Sequence, residues 1–325
     1  MELTLDTSRY SSGEQFFAFQ KAVQELLLPL NISRKNAGHY HATIRQIFAN
    51  DTKAIEICCD PAMIERTTTN ISSDCSDPIY MISFTLLGEA CAYQDGKGGH
   101  LRKGDFVIID STRPYRFEFL SRAQRAILRL PPELVEKSNA SISELCGHGI
   151  RGDQGVGALI STYVEQLLRQ SETLNPQCGP QLISCVLDLL SLLSDEISYC
   201  PVPTTSLAKQ NILDRIRCSA LARLDDHELT PEKIATENNI SIRKLHELFS
   251  HTDMSFWKWV QSERLERCHR DISNPQLAHQ SISEIGFRWG FSDMSHFSRS
   301  FRKQYKITPS HLRNLQRSES LTERS

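Results

Sequence analysis

The chain has 325 residues, 39% hydrophobic and 23% charged, a composition that fits a soluble globular protein long enough for two domains. Its formal charge of −2 argues against a nucleic-acid-coating polycation, so any DNA-facing surface must be local. Ten cysteines without a CxxC pair or a dense framework argue against a disulfide-stapled secreted module and for free thiols in a reducing cytosol.

The first six residues, Met1-Glu-Leu-Thr-Leu-Asp6, lack the basic start and apolar core of a secretory signal. The longest apolar stretch, 182–193, is interrupted by Asp188 and is far too short to span a membrane, so a cytoplasmic protein is expected. Residues 39–130 are β-rich. Short runs at 40–48, 54–58, 79–87, 106–109, 116–119 and 126–130 are divided by turn residues, which predicts a sandwich or barrel. His39-Tyr40-His41 would put two imidazoles on one face of a strand, a metal-ligand spacing, but no supporting carboxylate or downstream histidine completes a set. No metal or cofactor is therefore expected, and Cys58-Cys59 is expected to pack in the core rather than sense redox state.

Residues 157–170 and 181–198 read as helices. The stripe Leu182, Val186, Leu189, Leu190 and Leu193 is suited to pack on the barrel or to pair with a second subunit. Residues 199–206, rich in Pro, Ser and Thr, read as a linker. A helix-turn-helix pattern then follows. Thr230-Pro231 supplies an N-cap and a proline at the first helical position, Asn238-Asn239 a turn, and Ser241 the cap of a helix that buries Leu245, Leu248 and Phe249. Residues 256–272 form a long helical spacer. A second pattern opens with the capping box Ser281/Glu284, turns at Gly290, and continues as a helix with Phe297, Phe301 and Tyr305 inward. Its outward side holds His296, Arg299, Ser300, Arg302 and Lys303. Two short helices joined by a tight glycine-containing turn match a DNA-binding unit in which the second helix enters the major groove. Charge is segregated accordingly: residues 207–317 hold 18 Lys and Arg against 13 Asp and Glu, and 281–317 alone hold seven against two. The tail after Gln316 is expected to fray.

Ile282-x-x-Ile285, Gly290-Phe291-Ser292, Ser295-x-Phe297-x-Arg299-x-Phe301, Thr308-Pro309 and Arg313 together resemble the C-terminal module of the AraC/XylS family of transcription regulators. The resemblance implies two helix-turn-helix heads joined by a linker helix. It places Arg243, His246 and Glu247 of the first head, and Met294, Ser295, His296, Ser298 and Arg299 of the second, toward bases. Lys244, Arg302 and Lys303 are then suited to phosphates. Three residues depart from the family pattern: Gly286 stands for a small alanine, Lys306 for a glycine, and Glu247 faces the DNA side. Residues 101–119, with 64–67 and 130–134, are similar to the cupin-type N-terminal domain of FeaR-like and XylS-like members, over about residues 15–140.

The resulting expectation is an α+β two-domain chain, with an N-terminal cupin-like β-barrel plus helices and a C-terminal all-α tandem helix-turn-helix domain. Its parts are a regulatory domain at 1–150, a helical dimerisation segment at 151–199, a linker at 200–206, the DNA-binding domain at 207–317 and a tail at 318–325. The expected function is sequence-specific binding of double-stranded DNA by a transcription activator, not an enzyme. By resemblance, its partners include RNA polymerase, a small organic effector and a second copy in a homodimer. Arg66, Tyr80, Phe84, Tyr93 and Arg113 are the expected effector contacts. The alternatives are a cupin-type metalloenzyme with an appended interaction domain, and an interaction module whose DNA domain has lost binding, for which Glu247 and Lys306 speak.

Overall fold

The computed structural model describes residues 2–34, 37–48, 54–130, 132–136, 141–171, 173–199 and 204–322. Contacts divide the chain into an N-terminal unit, Met1–Cys218, and a C-terminal unit, Ser219–Ser325. In chain order the N-terminal unit begins β1 (Glu2–Asp6), α1 (Gln15–Leu26), β2 (Asn31–Ser33), β3 (Ala42–Phe48), β4 (Ala54–Cys59), β5 (Met63–Arg66), α2 (Thr68–Ser72), β6 (Tyr80–Leu87), β7 (Ala90–Gln94), β8 (Lys97–Leu101), β9 (Phe106–Asp110), β10 (Tyr115–Phe119) and β11 (Ala123–Leu130). It continues with α3 (Pro132–Glu136), α4 (Ile142–Leu145), β12 (Gly149–Ile150), α5 (Gly155–Arg169), α6 (Gly179–Tyr199) and α7 (Thr204–Leu221), within which the division falls. The C-terminal unit holds α8 (Pro231–Glu237), α9 (Ile242–Ser250), α10 (Phe256–Ser273), α11 (Ile282–Arg288), α12 (Met294–Tyr305) and α13 (Pro309–Thr322).

The strands form a seven-stranded sheet in the order β1-β3-β4-β11-β6-β9-β12 and a five-stranded sheet in the order β2-β5-β10-β7-β8. Alternation along each strand decides which face a residue serves. On β6, Met81 joins the core between the sheets with Ile44, Ile57, Ile64, Ile109, Phe117 and Phe119, whereas Ile82 and Phe84 face the opposite way. There they pack with Phe106, Ala126 and Leu128 against the apolar sides of α5 and α6, through Ile160, Val164, Val186 and Leu190. Of the expected stripe on 182–193, Val186, Leu190 and Leu193 are thus buried on the sheet of their own chain, and Leu182 and Leu189 are half-buried against the same core. Helix α1 covers the other core with Phe19 and Val23, and it is tied to the chain that follows because Gln20 and Gln24 donate to the carbonyls of Ile32 and Leu30 at 2.8 Å.

Several short strands escape the alternation pattern because their partners, not their own sequence, define them. Asp95-Gly96, both at positive φ, turns β7 into β8 as a two-residue hairpin. Two expectations change. Of the linker, 200–203 lie outside the described residues, and from Thr204 the backbone is helical; the last helix continues into the expected tail as far as Thr322, and 323–325 lie outside the described residues.

Burial of the α6 stripe makes a stability prediction. Leu190→Ala, at 0% exposure, should cost about 2–5 kcal/mol in urea unfolding, while Leu192→Ala, at 54% exposure, should cost under about 0.5 kcal/mol.

Candidate nucleic-acid interface

Each head is set by local capping chemistry. In the first, Thr230 Oγ1 accepts from the Lys233 amide at 3.3 Å, and Pro231 sits where no helical donor is needed. Asn239, at φ 54°, makes the left-handed turn, and Ser241 Oγ accepts from the Lys244 amide at 3.1 Å to start α9. Leu245, Leu248 and Phe249 are buried, so Arg243, His246 and Glu247 are left exposed. Glu247 does not face DNA as a bare anion: Lys244 Nζ donates to its Oε1 at 3.0 Å. The pair offers a polar surface of little net charge, and it occupies the lysine assigned to phosphate.

In the second head the capping box is complete, with Ser281 Oγ accepting from the Glu284 amide at 3.1 Å and Glu284 Oε2 from the Ser281 amide at 2.6 Å. Asp293 accepts from the amides of Ser295 and His296 and starts α12. These backbone donors hold the carboxyls of both Asp293 and Glu284 below their ordinary range. Gly290 turns the chain at φ 78°, and a Cβ there would stand 2.6 Å from the Arg264 guanidinium carbon. Phe297 and Phe301 are fully buried, in a core with Leu265, Cys268, Ile285, Phe291 and Leu312.

The opposite side of α12 is open. Ser295, His296, Ser298, Arg299, Arg302 and Lys303 are exposed. Arg299 Nε donates to the Ser295 carbonyl at 3.3 Å, one turn back on its own helix, and among the described residues its guanidinium makes no ion pair. His296 Nε2 and Ser300 Oγ lie 3.5 Å apart. Met294 differs from its neighbours. It is half-buried, and a Cβ on Gly286 would lie 2.8 Å from its terminal methyl, so glycine at 286 makes the space in which Met294 packs. At Lys306 the backbone is left-handed, φ 64°, the conformation for which glycine is the cheaper residue.

Arg264 was not singled out by the sequence. It stands four residues after Val260 and four before Cys268, on the buried side of α10, and is 4% exposed. Its Nε donates to the Leu224 carbonyl at 3.0 Å, Nη1 to Gly290 at 2.9 Å and Nη2 to Asp226 at 2.6 Å. The linker helix is thereby fastened both to the loop before the first head and to the turn of the second. Arg313 acts similarly, donating to the carbonyls of Ile272 at 3.2 Å and Gln280 at 2.9 Å, between the end of α10 and the start of α11.

The expected effector contacts are dispersed in the N-terminal unit. Tyr80 and Phe84 belong to the core under α5 and α6. Arg113 pairs with Asp110 and Asp95 in a surface turn. Arg66 pairs with Asp74 at 2.7 Å and, with Tyr93, borders an open groove of about 490 Å³. His39 and His41 are exposed with their rings stacked 6.3 Å apart, and among the described residues no three His, Cys, Asp or Glu side chains are grouped to hold a metal ion.

Residues 19–194 match the model of an AraC-binding-like domain, more than half of the chain, and residues 234–315 match a helix-turn-helix domain. The transcriptional activator NphR of Rhodococcus sp is 25% identical over 317 residues, covering 94% of this chain and 91% of that protein. The transcriptional activator RhrA of Rhizobium meliloti is 27% identical over 157 residues, 48% of each chain. Among solved structures, the AraC-like transcriptional activator CuxR superposes with a TM-score of 0.50 at 18% identity, over 78% of this chain and 90% of that one.

Two variants test this construction. Arg264→Met leaves the buried carbonyls of Leu224 and Gly290 without their guanidinium donor, while the Asp226 carbonyl keeps the Leu229 amide, and should lower the stability of the C-terminal unit by about 2–5 kcal/mol in chemical denaturation. Lys306→Gly should raise it by about 1 kcal/mol, by removing the left-handed penalty of a side chain.

Proposed function

The chain belongs to the AraC family of DNA-binding transcription regulators, and we propose that it acts as an activator whose N-terminal unit responds to a small organic effector and controls how the two heads engage DNA. The observation that carries the DNA assignment is the outward side of α12, where serines, a histidine and three cations are exposed while the aromatic side is buried. Arg299 is the principal base-reading residue in this proposal, since among the described residues its fork is committed to no carboxylate and can take guanine O6 and N7 together. Ser295, His296 and Ser298 flank it, Met294 supports the start of the helix, and Arg302 and Lys303 bind phosphates. In the first head Arg243 and His246 read, and the Lys244–Glu247 pair presents either a phosphate donor or an acceptor for a cytosine amino group. Helix α10 would set the heads about 34 Å apart, one turn of duplex.

RNA polymerase as a partner, a cytoplasmic location and a homodimer complete the proposal. Leu159 and Leu192, 60% and 54% exposed on α5 and α6, are the apolar side chains available for pairing. No helix among the described residues is long and apolar enough to cross a membrane. A regulator is favoured over a metalloenzyme because both matched domains are those of regulators.

The test is operator binding by the full chain, measured by fluorescence anisotropy on DNA upstream of the genes beside its own. Arg299→Ala should weaken binding by roughly tenfold to a hundredfold with an unchanged melting temperature, and Lys303→Ala should reduce the salt slope by about 1 across all sequences. Unchanged affinity of Arg299→Ala over a range of salt would remove that residue from the interface.

A further inference from the structure

Between the two sheets of the N-terminal unit lies a cavity of about 40 Å³, bordered by Leu27, Ile57, Met81, Phe117 and Ile127, with Ser83, Tyr115 and Arg125 as its polar side chains. Arg125 is 1% exposed and the largest fully buried side chain in the chain's described residues. It sits on β11 at a position that alternation turns into the sandwich, opposite Thr85 of β6. Its Nε donates to Ser83 Oγ at 2.8 Å, Nη1 to Thr85 Oγ1 at 2.8 Å and Nη2 to the Ser83 carbonyl at 2.9 Å. The Phe117 ring lies 5.3 Å from the guanidinium carbon. These partners take three of five N–H bonds and supply no negative charge. Among the described residues Arg125 makes no ion pair. Asp105, whose charge it senses, accepts from the amides of Arg102 and Gly152, and burial pushes the nearby Cys59 thiol up to about 12, so no thiolate is present at neutral pH.

The other buried arginines differ. Arg66 has Asp74 at 2.7 Å, Arg264 and Arg313 join separate segments of backbone, and Arg267 lies over the Trp289 ring. A buried cation without a counter-ion carries a large desolvation penalty, which an anion bound in the cavity would offset. Burial pulls the Arg125 guanidinium down to about 9, so it stays protonated at neutral pH and an anion meets a full charge.

We propose that the space between the sheets binds a small organic monocarboxylate, its carboxylate on the two free Nη–H bonds of Arg125 and its short apolar tail against Ile57, Met81 and Ile127. The volume holds about three waters, which corresponds to roughly four to six heavy atoms. Leu27 and Leu30, at the end of α1 and in the segment after it, border the same cavity, so occupancy bears directly on the element that covers the sandwich. The assignment rests on the effector reading proposed above and gives that effector a chemical class and a location.

Sodium isobutyrate, its neutral isostere isobutyramide, sodium acetate and sodium chloride at matched ionic strength are compared on the full chain by calorimetric titration and thermal melting at pH 7.5. Isobutyrate should bind saturably and raise the melting temperature, with isobutyramide and acetate at least roughly tenfold weaker and chloride without effect. Arg125→Gln should lose at least roughly tenfold in isobutyrate affinity. Should that variant not fold, Met81→Phe, which fills the cavity and keeps the cation, should abolish binding. No binding by wild type, equal binding of the amide, equal protection by acetate or chloride, or undiminished binding by a folded Met81→Phe protein would each overturn the proposal. Saturable isobutyrate binding with unchanged operator affinity would support the carboxylate site and overturn the effector reading alone.

Discussion

A guanidinium buried against backbone carbonyls is the constraint on which the DNA-reading unit depends. Arg264 satisfies acceptors at Leu224, Asp226 and Gly290, which belong to segments far apart in sequence. Each of those carbonyls lies at the end of a short helix or in a turn, where intrahelical partners run out. One long side chain from the middle of α10 replaces them at Leu224 and Gly290 and adds to the Leu229 amide at Asp226, and in doing so fixes the linker helix against both heads. Gly290 is required on the same account, because any side chain there would strike the guanidinium. Arg313 repeats the device between Ile272 and Gln280. A rigid relation between the reading helices then follows from polar satisfaction as much as from the aromatic core of Phe297 and Phe301.

The N-terminal unit uses the alternation of a sheet to build two cores at once. The same strands, β6, β9 and β11, send one set of residues between the sheets and the other under α5 and α6. That arrangement explains why aromatic residues expected in a pocket, Tyr80 and Phe84, lie instead beneath helices, and why an arginine one strand away lies inside the sandwich. Polar residues on the inner face, Ser83, Thr85 and Arg125, hydrogen-bond one another across β6 and β11. Helix α1 closes over this interior, so the covering element and the buried cation share one compartment.

The C-terminal heads were legible because their signals are local. Caps, turn residues and four-residue spacing at Thr230, Ser241, Ser281, Asp293 and Gly290 act within a few positions of chain, and the structure places the helices where those residues put them. The six strands read from the N-terminal half are all present with shifted ends, whereas β1, β2, β5, β7, β8 and β12 passed unread. Their sequences are short, and Gly98-Gly99 in β8 gives no alternation. The hairpin Asp95-Gly96 was a signal the sequence did carry.

Within the candidate interface, exposure of Arg299, His296, Arg302 and Lys303 could be anticipated from helical periodicity, since the buried aromatics fix the opposite side. Pairing of Glu247 with Lys244 could be guessed from their three-residue spacing but not decided, because each also had solvent and DNA as competitors. Burial of Met294 needed Gly286 of the preceding helix, and burial of Arg264 needed carbonyls from about forty residues earlier and twenty-six later. The sequence by itself determined the class of the protein, two heads and a β-rich partner, because caps, turns and periodicity are short-range. Only the tertiary structure decided which charged residues lie inside, because a buried guanidinium is specified by acceptors that the fold brings to it from elsewhere in the chain.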